Sequence, residues 1–307
     1  MDNNTTTPAA DAAKTVGWIL DASADFLGRR GVESARLAAE HLAARLLRCP
    51  RLDLQAKRGL AMPPPLVEAM RRGVARVGSG EPLQHVLGQW GFRNLVLKTD
   101  RRALVPRPET EGLVQLLLDC APLRAVKQPR IIDYGTGTGC IALSLASEIP
   151  GAKLIGLDTS DEALALAQEN AAALGLVERV VFLNPAAVDL ADVLEPGSID
   201  AVVANPPYIP TDACARLADN VRRFEPMAAL DGGPDGMEIT RQIIEESTML
   251  LASGGFIFLE IGADQGDAMR AIVSTELPGH EFTVLADYSG FDRIVVINQI
   301  GRASCRE

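Results

Sequence analysis

The tetrapeptide Asn205-Pro206-Pro207-Tyr208 sets a side-chain amide, two prolines and a phenol directly after an apolar run, Ile199 to Ala204. Such a run reads as a buried strand, and open α/β sheets place their chemistry at the carboxyl ends of strands. Proline fixes φ and has no N–H to donate, so this turn is stiff and keeps its carbonyls as acceptors. The Asn205 amide oxygen and those carbonyls can grip a planar polar group, an amide or an amino-substituted base, while Tyr208 packs on its face. Taken alone, the same residues also describe a proline-stiffened surface loop.

A second constellation lies upstream. Asp133-Tyr134-Gly135-Thr136-Gly137-Thr138-Gly139 joins a strand to a helix, and its glycines let the backbone bend sharply and a ligand approach without meeting a Cβ. The spacing is G-x-G-x-G, not G-x-G-x-x-G, and no Walker lysine follows, which weakens the commonest dinucleotide and phosphate readings. Asp158 closes the next strand, where a carboxylate can accept from both hydroxyls of a ribose. Helix capping is already provided by Thr159, Ser160 and Asp161, so Asp158 is free for a nucleoside ligand. A third stretch, Leu104 to Glu111, clamps Arg107 between two prolines and opens a helix, Glu109 to Cys120, with acidic residues in its first turn.

The elements that must position these groups follow from periodicity. Helical spacing predicts helices from Val16 to about Gly31, from about Ser34 through Leu46 and from Leu66 to Val77, the last carrying Arg71, Arg72 and Arg76 on a solvated face. A short helix over Glu81 to Gly88 and a strand or hairpin over Phe92 to Lys98 come next. Strands and helices then alternate: strands at Arg130 to Tyr134, Lys153 to Asp158, Val180 to Leu183 and Ile199 to Ala204, with helices at Cys140 to Glu148 and Asp161 to Leu174 between them. That alternation predicts a parallel sheet covered by helices on both faces. From Pro210 to Gly236 the periodicity is weak, and a loop of that length is usually functional or mobile. A helix over Met237 to Leu251, a strand over Phe256 to Glu260 after a Gly254-Gly255 turn, a helix near Gln265 to Glu276, and an antiparallel pair, Glu281 to Ala286 with Arg293 to Asn298, complete the pattern. The expected organisation is a disordered tail over 1–13, a helical domain over 14–80, a linker with a hairpin over 81–108, an α/β domain over 109–300 and a frayed tail over 301–307.

Composition bounds the partners. With 30 Lys+Arg against 40 Asp+Glu, the formal charge of −10 repels phosphate backbones and disfavours nucleic acid. The five cysteines form no CxxC pair, which points to neither a zinc site nor a disulfide framework and fits a reducing compartment. No apolar run approaches the roughly 18 residues of a membrane span, and the polar, threonine-rich start is unlike a signal peptide. The expectation is a soluble cytoplasmic protein that needs no metal.

The joint pattern is narrower than any of its parts. LVPRPETE at Leu104 to Glu111, the glycine loop, Asn205 to Ile209, Phe224-Glu225-Pro226 followed by Ala229 to Gly233 and Asp235-Gly236, and the preceding helical segment occur in the order that resembles the HemK/PrmC family. That family lies within the class I S-adenosylmethionine-dependent methyltransferases. The resemblance implies a Rossmann-like, seven-stranded, mostly parallel sheet with an antiparallel last strand, preceded by a small helical domain. It implies methyl transfer from S-adenosylmethionine to the side-chain amide of the glutamine in the GGQ motif of peptide-chain release factors. The expected partner is therefore a release factor, and the chain is expected to be monomeric, with no direct contact to nucleic acid or membrane. Asn205, Pro206, Pro207 and Tyr208 would then be catalytic, and Gly135, Thr136, Gly137, Thr138, Gly139, Asp158, Asn184 and Asn205 would hold the cofactor. Arg107, Glu109 and Glu225 would support the substrate site. Where the family carries an acidic residue near the adenine, this chain has Asn184-Pro185-Ala186-Ala187, so adenine recognition would fall to backbone groups or Asn184. A sister family that methylates a ribosomal-protein glutamine has serine after the motif arginine, where Pro108 stands here. An adenine-directed DNA or RNA methyltransferase is the other alternative, since the same tetrapeptide can hold an extruded base.

Overall fold

The computed structural model describes residues 14–188, 190–287 and 289–299, so the two expected terminal tails lie outside the described residues. The chain divides between Gly88 and Gln89 into two compact units. The segment read from the sequence as a linker, 81–108, is therefore shared between them.

The first unit is helical: α1 Val16–Arg29, α2 Ala35–Leu47, α3 Pro64–Gly78 and α4 Leu83–Leu87, with one 3-10 turn at Arg51–Leu54. Its core is aliphatic, with Leu20, Leu27, Ala39, Ala43 and Met70 almost fully buried. These residues recur at helical spacing, which is why the three longer helices were legible in the sequence.

The second unit opens with a hairpin, β1 Gln89–Phe92 and β2 Leu95–Lys98, followed by α5 Pro108–Asp119 and α6 Ala121–Ala125. Then come β3 Arg130–Tyr134, α7 Cys140–Glu148, β4 Lys153–Leu157, α8 Asp161–Leu174, β5 Val180–Leu183, α9 Leu190–Val193 and β6 Ile199–Ala204. The remainder is α10 Thr211–Cys214, α11 Asp219–Phe224, a 3-10 turn at Met227–Ala229, α12 Glu238–Leu250, β7 Leu251–Glu260, α13 Gly266–Glu276, β8 Glu281–Ala286 and β9 Asp292–Asn298.

The seven-stranded sheet has the order β5-β4-β3-β6-β7-β9-β8. Strands β3 to β7 run parallel, and β9 is antiparallel to both β7 and β8, as the sequence reading expected. Alternate residues feed opposite faces. Ile131, Ala201, Val203 and Phe258 pack on one side with Leu113 and Leu143, and Ile132, Val202, Ala204, Ile257 and Leu259 pack on the other with Ile243 and Met269. The chain winds outward through β3, β4 and β5, then crosses back to β6 beside β3. The gap at the carboxyl ends of β3 and β6 is thus the switch point at which such sheets bind ligands.

Two local differences from the sequence reading have plain causes. The strand expected from Phe256 begins at Leu251, because Leu251 pairs with Ile199 before the register shifts to Ala201 opposite Phe256. Gly254, with φ +80, supplies the irregularity between those pairings. The long segment after the tetrapeptide holds α10, α11 and the 3-10 turn, each too short to leave a helical period in the sequence.

Candidate active site

The glycine loop leaves β3 and enters α7 with three left-handed glycines, Gly135, Gly137 and Gly139, at φ +69, +53 and +81. A Cβ at Gly139 would stand 2.9 Å from Leu143 Cδ1 and 3.3 Å from the Ala167 Cβ, so this position needs glycine for space as well as conformation. The loop is braced from below. Asp133 Oδ2 accepts from the Thr136 hydroxyl at 2.7 Å and from the Ala142 N–H at 3.1 Å, and the Asn170 amide donates to the Thr138 carbonyl at 2.9 Å. Thr136 and Thr138 are buried, so their side chains shape the loop from within. Burial pushes the Asp133 carboxyl up to about 7, against the two hydrogen bonds that favour its charge. Its Oδ1 is buried without a protein partner.

Asp158 follows β4 and faces this loop. Its Oδ2 accepts from the Gly137 N–H and its Oδ1 from the Ser160 N–H, both at 2.9 Å, so each oxygen has a further lone pair for a ligand hydroxyl. Burial raises the Asp158 pKa, and the two backbone donors oppose that rise. Asn184, just past β5, is committed locally. Its Nδ2 donates to the Thr159 carbonyl at 3.2 Å and to Asp161 at 2.7 Å, and its Oδ1 accepts from the Ala186 N–H at 2.9 Å. Both ends of its amide are thus engaged by nearby protein groups, and Oδ1 keeps one further lone pair.

The tetrapeptide stands beside the glycine loop, because Tyr134 pairs with Ala204 in the sheet register. The Asn205 Nδ2 donates at 3.0 Å to the Thr110 hydroxyl, which donates in turn at 2.8 Å to Glu260 Oε2. Thr110 lies in the first turn of α5 and Glu260 ends β7, and both are buried. The Asn205 amide oxygen therefore projects from the branch not held by Thr110.

The rest of the turn is fastened through its backbone. Gln265 donates to the Tyr208 carbonyl at 3.0 Å and the Gly236 carbonyl at 3.1 Å, while its own carbonyl accepts from the Gly262 N–H at 2.9 Å. Ile209 bridges Asp231 in parallel, accepting from the Gly232 N–H and donating to the Leu230 carbonyl. Gly232 lies so close that a Cβ there would meet the Pro207 carbonyl at 2.5 Å, the Gly236 carbonyl at 2.7 Å and the Tyr208 Cα at 2.9 Å. The glycine cluster read as part of a long loop is thus the backing of the tetrapeptide. Burial raises the Tyr208 pKa, and the nearby Glu260 charge adds to the effect.

Arg107 and Glu225 meet in an ion pair at 3.1 Å, in which Glu225 is almost fully buried and Arg107 is 41% exposed. The other Glu225 oxygen accepts from the Val105 N–H at 3.2 Å, so this acid ties the Pro-Arg-Pro segment to the region that follows α11. Glu109 is exposed beside Thr110. Thr110, Glu260 and Gln265 were not singled out in the sequence. The one available signal was Glu260, an acid closing an otherwise apolar strand next to the strand that ends at Asn205. Among the described residues no group of three or more His, Cys, Asp or Glu is placed to hold a metal ion, and no helix is long and apolar enough to cross a membrane.

Comparison with known proteins identifies relatives of both units of the chain. Residues 125–283 match a family described as a methyltransferase domain, and residues 19–88 match the PrmC N-terminal domain. The chain is 40% identical over 267 residues to a release factor glutamine methyltransferase of Moorella thermoacetica, covering 87% of this chain and 92% of that protein. It is 36% identical over 281 residues to one of Geobacter sulfurreducens, covering 92% and 95%. Among solved structures, the hMettl16 catalytic domain in complex with an RNA hairpin aligns over 87% of this chain and 92% of its own, with a TM-score of 0.54 at 15% identity, a likeness of fold.

Proposed function

This chain belongs to the release factor glutamine methyltransferase family, and on that premise we propose that it methylates the side-chain amide of the glutamine in the GGQ motif of peptide-chain release factors. The observation that carries the reading is the Thr110 anchor on Asn205, which leaves an amide oxygen and a proline-stiffened turn at the switch point beside the glycine loop. In this reading Gly135 to Gly139 and Asp158 hold S-adenosylmethionine, with the Asp158 oxygens taking the ribose hydroxyls. When bound, S-adenosylmethionine supplies a methyl group already activated by its sulfonium charge.

What this chain must do is position a weak nucleophile. An amide nitrogen has its lone pair delocalised into the carbonyl, so orientation carries most of the rate. The Asn205 Oδ1 and the Pro206 carbonyl accept the two N–H bonds of the glutamine amide and fix its nitrogen at the switch point. Both acceptors point their negative ends at the nitrogen, where positive charge grows in the transition state. Tyr208 covers the amide plane, Pro207 keeps the turn rigid, and the Arg107–Glu225 pair holds the adjoining segment. The alkylated nitrogen loses its proton to water, so no side-chain base is required. The finer parts of this reading have the chain acting as a cytoplasmic monomer without direct contact to nucleic acid.

Asn205→Ala tests it. Methyl transfer to a release factor should fall to background while the calorimetric affinity for S-adenosylmethionine stays near that of the parent; turnover close to the parent rate would refute the role of Asn205.

A further inference from the structure

We propose that Thr110 and Glu260 are positioning residues that decide which end of the Asn205 side-chain amide faces the substrate. The proposal rests on the reading of Asn205 given above. It starts from a property of asparagine: one end of the amide only accepts hydrogen bonds and the other only donates, yet the two are nearly identical in size. An Asn205 turned by half a rotation would present N–H groups to the N–H groups of a glutamine amide and repel them.

Three residues from separate elements remove that ambiguity. Asn205 follows β6, Glu260 ends the neighbouring β7, and Thr110 reaches them from the first turn of α5. The threonine hydroxyl has one proton. It lies 2.8 Å from Glu260 Oε2 and 3.0 Å from Asn205 Nδ2, so the proton can serve only one of these contacts. A carboxylate has no proton to give and must accept, which directs the hydroxyl proton toward Glu260. The hydroxyl lone pairs then face Asn205, and only its NH2 end satisfies them. The polarity set by one buried carboxylate reaches the amide by two routes, through the Thr110 hydroxyl and through the hydrogen bond that Asn205 makes to Glu260 itself, and both require the NH2 end to face inward. Burial of both relay residues makes a mismatch at either contact costly.

The relay is set by the charge on Glu260. The groups facing that carboxyl are Arg293 from β9, which favours its charge, Glu109 from α5, which opposes it, and the Thr110 and Asn205 side chains, which hydrogen-bond it. Tyr208 and the half-buried Cys140 at the start of α7 also feel its charge. Burial outweighs the rest and holds Glu260 at about 7. Once protonated, Glu260 can donate to Thr110, the hydroxyl proton can turn to Asn205, and the amide is free to rotate. The orientation is therefore held above about pH 7 and lost as the pH falls through it.

The test uses the full-length protein and a purified release factor, with kcat and KM measured between about pH 5.5 and 9 for the parent, T110S, T110V and E260Q. Side-chain amide NMR of Asn205 is followed across the same range. T110S should keep the parent profile. T110V should lose about tenfold or more in kcat with KM for the release factor changed far less. E260Q should lose the part of the acid limb that Glu260 sets, leaving that of Asp133, and the Asn205 NH2 resonances should titrate near neutrality in the parent and stay still in E260Q. A T110V enzyme with parental kcat, or Asn205 resonances that do not move with pH in the parent, would overturn the proposal. Resonances that titrate in a parent protein inactive on every release factor would support the orientation and refute the substrate assignment instead.

Discussion

Gly232→Ala is a one-carbon perturbation aimed at the tetrapeptide from behind. The φ at Gly232 is not positive, so alanine fits the backbone and no conformational strain is introduced. The added carbon would nevertheless stand 2.5 Å from the Pro207 carbonyl, where ordinary contact begins at 3.4 Å, and 2.7 Å from that of Gly236. All three near atoms are backbone, and Gln265 and the Ile209 bridge hold that backbone, so relief requires moving the turn itself. The shortfall is about 1 Å, and a misplacement of that size in a positioning site costs about 10²-fold in rate. Overpacking costs stability too, about 1 to 3 kcal/mol, which leaves a protein of this size folded at room temperature. The assay is transfer of a labelled methyl group to a release factor, beside thermal melts and calorimetric cofactor affinity. The expected result is a fall in kcat of about 10²-fold with cofactor affinity within about threefold of the parent. A folded variant within threefold of parental kcat would refute the claim that the glycine cluster sets the position of the turn.

Four further outcomes follow. Asp158→Asn removes a charge and one of the two acceptors from a carboxyl that organises the glycine loop, so cofactor affinity should fall by about tenfold or more, and the stability of the free protein in thermal unfolding should drop by the roughly 1 to 3 kcal/mol of one unpaired N–H. Arg107→Ala leaves the buried Glu225 with only the Val105 N–H; because Arg107 is 41% exposed, the loss should be about 1 to 2 kcal/mol in urea unfolding, below the figure for a fully buried pair. Gly112→Ala should raise stability by up to about 1 kcal/mol, since the position is helical and a Cβ there meets only Ile294 Cδ1 at 3.9 Å. Glu260, raised from an ordinary 4.5 to about 7, and Asp133, raised from 3.8 to about 7, keep protons in the folded state that the unfolded chain has released. Their contribution to stability is full below the unfolded values and declines as the pH rises toward about 7, so Glu260→Gln should flatten that decline in urea midpoints measured across the window.

The sequence made legible whatever depends on neighbours along the chain. Apolar runs marked β3, β4, β5 and β6, and the residues that break those runs, Gly135, Asp158 and Asn205, fell at the carboxyl ends where the sheet exposes them. Helical periods marked α1, α2, α3, α8 and α12. What stayed hidden depends on residues far apart in the chain. Thr110 and Glu260 stand 150 positions apart and lie on elements that only the fold brings together; Thr110 does not look unusual beside its neighbours, and Glu260 stands out only as an acid closing an apolar strand. Gln265 likewise gains its meaning from two carbonyls supplied by the Tyr208 and Gly236 segments. The stretch after Ile209 read as an open loop because its helices are short and its glycines serve close backbone approach, a property with no period.

The central claim, that the acceptor turn at Asn205 holds a glutamine side chain for methylation, is tested most directly by locating the methyl group. Purified release factor, with its GGQ glutamine intact or replaced by glutamate, is incubated with this protein and isotopically labelled S-adenosylmethionine, then mapped by tandem mass spectrometry. The expected result is one added methyl on the amide nitrogen of that glutamine and none on the replaced protein. Label that persists after the replacement, or that lies on another side chain, would contradict it.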